Sequence, residues 1–272
     1  LLSGYLLSLR EGIEAALIIG IVLGAVRKIN RADLIPAIWF GALSAFIVSV
    51  LAAILLTRFG LELKGTAEPI FEGFTMLLAA SILTWMIFWM NKQSRALKSD
   101  LEAGVTKAAT AAGKQALFWL AFIAVAREGF ELALFLTASA FSSGAQQTLI
   151  GSILGLCTAA LLGWMLFAST VRLDLRRFFQ VTGFLLILFA AGLVARSIYE
   201  FNEVGWIPVI IEHIWDLNAI IDEKSMLGQL LIALFGYNGN PSLTETIAYF
   251  AYLASVFVAL QFSGSKSRTT TR

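Results

Sequence analysis

The feature that most constrains this chain is a series of seven apolar blocks, near residues 1–26, 34–57, 70–91, 116–140, 148–169, 178–198 and 244–262. A hydrocarbon core of ~30 Å is crossed by about 20 helical residues, and each block reaches that length. Composition closes the alternative. With 58% hydrophobic residues, 14% charged and a mean hydropathy of +0.82 over 272 residues, the chain is too poor in charge for a soluble fold, which carries roughly 25%. The bilayer is its solvent, and the expected fold is an all-α integral membrane protein of seven transmembrane helices. Block 1–26 is too long and too charged in its middle for a signal-peptide core, so it is read as a retained span.

The connections alternate in Lys and Arg content. Arg27, Lys28 and Arg31 follow the first span, Lys92, Arg95, Lys98, Lys107 and Lys114 the third, Arg172, Arg176 and Arg177 the fifth, and Lys266, Arg268 and Arg272 form the tail. Fourteen of the 20 basic residues thus fall on one side. The positive-inside rule places that side, with the C-terminus, in the cytoplasm, and seven spans put the N-terminus outside. The outer connection 199–243 is acidic, with Glu200, Glu203, Glu212, Asp216, Asp222 and Glu223 against Lys224. A net charge of +2 gives no reason for a nucleic-acid partner. One cysteine, Cys157, and one histidine, His213, cannot build a disulfide or a His- or Cys-based metal site.

Arg10-Glu11-Gly12-Ile13-Glu14 recurs, 117 residues and three spans later, as Arg127-Glu128-Gly129-Phe130-Glu131. Three is odd, so the copies should cross the membrane in opposite directions, the inverted-repeat plan in which a transport site lies at the midplane between halves. The chain then divides into a first three-helix repeat (1–91), a cytoplasmic linker (92–115), a second repeat (116–198), an outer acidic loop (199–243), and a seventh helix with its tail (244–272).

Both motifs sit near the middle of their spans, where each ionised group costs ~2.5–3.5 kcal/mol and normally faces a bundle interior. Helical spacing puts Glu11 and Glu14 on one face and lets Arg10 pair with Glu14; Arg127, Glu128 and Glu131 repeat the arrangement. A buried ion-pair network that only orients helices is the plainer reading, but buried pairs are poor sources of stability. Two arginines against four glutamates also leave a charge of −2 when all are ionised, an excess that suits a cation. Carboxylate oxygens are hard ligands, which disfavours copper(I) and zinc. Gly12 and Gly129, and the pairs Gly20/Gly24 and Gly151/Gly155, read as close helix contacts.

The paired motifs, together with Phe71-Glu72-Gly73, Leu83-Thr84-Trp85-Met86-Ile87-Phe88-Trp89-Met90 and Ala124-Val125-Ala126 ahead of the second motif, resemble the oxidase-dependent iron permeases, the high-affinity iron permease family, in its bacterial EfeU type. The likeness runs through Phe235-Gly236-Tyr237 and the seventh span. It implies permeation of ferric iron on Glu11, Glu14, Glu128 and Glu131, with Arg10 and Arg127 as charge partners. Iron(III) is then the transported substrate, with no permanently bound cofactor. The supplier would be an extracytoplasmic iron oxidase or iron-delivery protein, and the location the plasma membrane, the inner membrane of a bacterium. Glu72 matches an acidic family position near the outer mouth, and Glu68 lies one turn earlier; each can equally serve a helix start beside Pro69.

In the outer loop, residues 207–223 carry Glu212, Asp216 and Glu223 at helical spacing and read as an interfacial amphipathic helix, or as a collecting surface for iron or a partner. Trp39, Trp85, Trp89, Trp206 and Trp215 read as interface anchors, and the polar, Ala-rich linker as a cytoplasmic helix. The competing functions are a permease for another cation, such as ferrous iron, manganese or lead, and an intramembrane carboxylate metalloenzyme. The enzyme reading lacks the Glu-x-x-His ligands usual in di-iron bundles, and no phosphate-binding loop for ATP is present.

Overall fold

The computed structural model describes residues 1–93, 113–168, 174–223 and 225–265. Most of the segment 92–115, expected to be a cytoplasmic linker, and most of the basic tail lie outside these residues. Among the described residues there are eight α-helices and no strand. They are α1 (Leu2–Lys28), α2 (Ile35–Glu62), α3 (Ala67–Gln93), α4 (Gly113–Ser143), α5 (Ala145–Ala168), α6 (Leu175–Glu203), the short α7 (Met226–Phe235) and α8 (Leu243–Ser265). Each expected span falls within one long helix to within a few residues, and the helices overrun the apolar blocks by up to about a turn.

Local chemistry sets several of these ends. Pro36 opens α2, where a missing N–H costs nothing. Asn30 takes the left-handed conformation (φ 57°) that turns the chain after α1, a role asparagine tolerates better than most residues. Asp174 caps α6 by accepting from the Arg177 amide at 3.2 Å. At α8, Glu245 Oε1 accepts from the Ser242 amide at 3.0 Å while Ser242 Oγ accepts from the Glu245 amide at 3.3 Å, a reciprocal capping box.

Stretches 32–60, 67–89, 145–166, 177–203 and 243–262 are each long and apolar enough to cross a membrane. α1 and α4, of 27 and 31 residues, are long enough too, but carry the motif charges. α1, α3, α4 and α6 share one buried core, in which Leu7, Leu83, Phe135 and Leu193 meet. α2 and α5 flank it, and α8 packs on the outside of α6. These flanking helices expose large apolar side chains, among them Phe40, Leu55, Trp164 and Phe262. Such an apolar outer face is what lipid, rather than water, solvates.

The two flanks correspond at their glycine contacts. α1 packs on α5 and α2 on α4, through glycines that bring backbones together. A β-carbon on Gly151 would strike Leu1 O and Tyr5 N; one on Gly41 would strike Phe118 O and Phe122 N. Those partners are 117 residues apart, the same offset as the two motifs. The motif glycines follow the rule as well, Gly12 lying against Ala159 of α5 and Gly129 against Ser49 of α2. Ser3, at the start of α1, bonds Ser139, near the end of α4, at 2.8 Å, so the two motif helices run in opposite directions. The Gly20/Gly24 expectation is corrected in part: Gly20 is buried, but a β-carbon on Gly24 would meet nothing within 4 Å.

The outer loop also corrects the sequence reading. Residues 207–223 form turns, and the helix of this connection is α7, farther along. Pro208 has no amide to give a helix, and the amides that follow bond across the loop instead. Ile214 N donates to Pro241 O at 3.1 Å, Leu217 N to Gly239 O at 2.8 Å, and Leu243 N to Ile211 O at 3.1 Å.

Side chains placed on the flanking seams should therefore be far more damaging than side chains elsewhere on the same helices. Gly151→Val and Gly41→Val are each expected to cost ~1–3 kcal/mol or more through backbone overlap, whereas Gly24→Ala should stay within about 0.5 kcal/mol. Thermal unfolding of the purified protein in detergent checks the contrast; equal effects at Gly24 and Gly151 would contradict the packing described.

Candidate functional site

α1 and α4 meet at their motifs. Glu11, Glu128 and Glu131 each place a carboxylate oxygen so that the three lie within 4.8 Å of one another. Glu11 and Glu128 are almost wholly buried, at 1% and 5% exposure, and Glu131 is mostly so. The spacing expected from sequence thus holds: both motif faces turn inward to one point.

The arginines divide the work unequally. Arg10, 1% exposed, sets Nη1 2.7 Å from Glu11 Oε1 and Nη2 2.9 Å from Glu14 Oε1. Its Nη1 also reaches Met86 Sδ of α3 at 2.9 Å. Arg127 is half exposed, with Nε 3.1 Å from Glu131 Oε1 and 3.9 Å from Glu128 Oε1. Its guanidinium lies over the Trp89 ring, 5.0 Å from the centroid. Glu14 is the motif carboxylate that stays with its arginine and outside the three-oxygen group.

Each arginine takes Oε1 atoms and leaves Oε2 atoms. Glu11 Oε2, Glu128 Oε2 and Glu131 Oε2 are buried and accept no hydrogen bond from the described residues. Buried acceptors are normally satisfied, and a charged one left without a donor is costly. Three oxygens within 4.8 Å of one another lie at most about 2.8 Å from a common centre, close to the ~2.3–2.6 Å at which a hard cation such as calcium takes oxygen ligands. The arrangement can therefore dehydrate and hold a hard cation between two antiparallel helices.

Glu68 and Glu72 do not join this group. They line a second cavity of about 330 Å³ at the start of α3, with Arg196, Tyr199, Glu200 and Glu203 from the end of α6. There Arg196 Nε pairs with Glu200 Oε1 at 3.1 Å and stacks on Tyr199, and Tyr199 Oη donates to Glu203 Oε1 at 3.0 Å. Sequence reading placed Glu200 and Glu203 only in an acidic outer loop; their one-turn spacing at the end of an apolar block was the available signal. Glu212, Asp216 and Glu223 are not brought together on one face. Glu212 is exposed, Asp216 accepts from the Asn218 amide at 3.0 Å, and Glu223 accepts from the Gly239 amide at 2.7 Å, which makes the last two loop braces. Trp85, Trp39 and Trp206 are exposed, as interface anchors should be, but Trp89 carries Arg127.

Residues 1–266 match the family described as Iron permease FTR1 family. The chain belongs to that family. It is 35% identical over 270 residues to the proteins named Ferrous iron permease EfeU of Shigella sonnei and Escherichia coli O157:H7, covering 98% of this chain and 98% of each. The protein of that name from Yersinia pestis is 34% identical over 256 residues, or 93% of this chain and 91% of the relative. No solved structure matches. The protein is an iron permease, a multi-pass membrane transporter and not an enzyme, and iron is what it carries across the membrane.

The unequal arginines predict unequal losses. Removing Arg10 leaves Glu11 and Glu14 buried without a counter-charge, so Arg10→Gln should destabilise the permease by ~3–5 kcal/mol. Arg127→Gln, at a half-exposed site where solvent screens the pair, should cost roughly 1 kcal/mol or less. Unfolding of the two purified variants in detergent measures the difference, and equal losses would contradict the asymmetry.

Proposed function

We propose that this permease imports ferric iron through a mid-membrane site formed by Glu11, Glu128 and Glu131, with Glu14 held beside it by Arg10. The observation that carries the reading is the convergence of one carboxylate oxygen from each of Glu11, Glu128 and Glu131, three residues that each also bury an Oε2 accepting no hydrogen bond from the described residues. Ferric iron is a hard cation, and a donor set of carboxylate oxygens without thiolate or imidazole fits it. Glu68 and Glu72, with Glu200 and Glu203, make an acidic mouth through which the ion reaches the site.

The framework for this reading is seven spans, α1 to α6 and α8, arranged as two inverted three-helix repeats (1–91 and 116–198) with the last span outside them. Supporting it are the antiparallel motif helices and the matched seams at Gly41 and Gly151. The basic connections place the linker 92–115 and the C-terminus in the cytoplasm and the acidic mouth outside, in a bacterial inner membrane. An extracytoplasmic iron oxidase or iron-delivery protein supplies the oxidised ion.

A second reading, ferrous transport, has one observation in its favour, the name carried by the relatives at 34–35% identity. Proteoliposomes separate the two when supplied with iron as ferric citrate or as ferrous iron held reduced by ascorbate. Uptake from the ferric arm is expected, and uptake from the ferrous arm alone would replace ferric with ferrous as the cargo. In the same vesicles Glu128→Gln and Glu131→Gln should lower uptake by about 100-fold or more, since an amide supplies neither the charge nor the anionic oxygen a hard ion needs. Glu14→Gln should also impair uptake, by freeing Arg10 to compete for Glu11. Normal transport by all three variants would leave the motif carboxylates as helix-orienting ion pairs.

A further inference from the structure

Both motif arginines reach the same turn of α3. Met86 and Trp89 are three residues apart and so share a face of that helix. Met86 Sδ accepts from Arg10 Nη1 at 2.9 Å, and the Trp89 ring lies under the Arg127 guanidinium at 5.0 Å. The flanking seams obey the exchange of the first three helices with the second three, and on that pattern Arg10 would turn to α3 and Arg127 to α6. Here α3 receives both. Met86 is 3% exposed and belongs to the core shared by α1, α3, α4 and α6, so its sulfur is a fixed point.

The consequence lies in which oxygens the arginines occupy. Arg10 and Arg127 sit on the Oε1 atoms of Glu11, Glu14 and Glu131, and the buried Oε2 atoms of Glu11, Glu128 and Glu131 accept no hydrogen bond from the described residues. A guanidinium is itself a cation and has five N–H donors. If it swung toward the Oε2 side, it would fill the position that a metal ion needs. Arg127 is the more able to do so, being half exposed and bonded to one carboxylate oxygen at short range. An aromatic face attracts the guanidinium through its quadrupole and packs flat against it, which fixes the plane of the fork.

We propose that Met86 and Trp89 of α3 are positioning residues for iron, holding Arg10 and Arg127 on the outer edges of the carboxylate cluster so that the inner oxygens stay open to the ion. Neither residue touches iron. Trp89 supplies a berth for Arg127 that does not depend on a carboxylate, and Met86 limits Arg10 to the arc that bridges Glu11 and Glu14. α3 thereby links the two motifs through their arginines. Its first turns, at Glu68 and Glu72, line the acidic mouth, so one rigid helix spans from the mouth to the positioning turn.

This inference rests on the carboxylate site proposed above, and the test separates the two. Iron uptake into proteoliposomes is measured over a range of iron concentrations for Trp89→Leu, Trp89→Phe, Met86→Leu and, as the reading of the site itself, Glu128→Gln. Loss of the aromatic face should raise the KM for iron about 3- to 10-fold, the range of a cation–π contact, with maximal rate per folded protein little changed. Trp89→Phe keeps a ring and should return KM to within about twofold of the parent. Met86→Leu conserves volume while removing the sulfur acceptor, and should raise KM in the same sense. Trp89→Leu with an unchanged KM, or with a reduced maximal rate that Trp89→Phe fails to restore, overturns the positioning role even where Glu128→Gln abolishes uptake. Full uptake by Glu128→Gln overturns the site and the positioning role together.

Discussion

The structure depends on one electrostatic constraint: buried carboxylates must be compensated by the groups packed around them, because lipid cannot do it for them. Four glutamates on two helices meet two arginines, and the arithmetic leaves an excess of negative charge. Every nearby feature answers that excess. The motif helices run antiparallel so that their carboxylates arrive at the same depth. Arg10 is sealed between Glu11 and Glu14, and three inner oxygens remain that a cation can satisfy. Satisfying them permanently with protein donors would give a structural ion-pair network; leaving them open gives a site with work to do.

Close backbone approach is what makes this convergence possible. The glycines at 12 and 129 lie inside the motifs and set each motif helix against a flanking helix, α5 or α2, at the level where the charges sit. In a membrane there is no hydrophobic gain from bringing helices together, so association draws on packing, and small residues let the packing be tight. The flanking helices in turn present Phe, Leu and Trp side chains outward. On those two sides a flanking helix therefore stands between the charged centre and the surrounding lipid.

The symmetry of the framework and the asymmetry of the site belong together. Matched glycine seams join α1 to α5 and α2 to α4 on either side of the centre. Within that scaffold the arginines are not equivalent: one is buried against a thioether, the other half exposed on an indole. The differing arginines make the surroundings of the two motifs physically unlike. The second cavity gathers four carboxylates and one guanidinium at the junction of α3 and α6.

Much of this was legible in the chain. Apolar length fixed where the long helices fall, because the thickness of hydrocarbon is a property of lipid and not of the fold. The repeated R-E-G-x-E pattern put forward Glu11, Glu14, Glu128 and Glu131 alike and paired Arg10 with Glu14, since a helix places residues three and four apart on one face whatever surrounds it. The outer loop misled, because 207–223 has helical spacing of its acids, yet Pro208 and the cross-loop bonds to Gly239 and Pro241 drew its backbone elsewhere. Other facts exist only in three dimensions. That Glu14 stands apart from the ion-sized group, that Glu68 and Glu72 meet Glu200 and Glu203, and that Met86 and Trp89 hold the two arginines all depend on contacts between helices far apart in sequence. Periodicity reports which face of a helix turns inward; only the packing of one helix on another decides which atoms that face will meet.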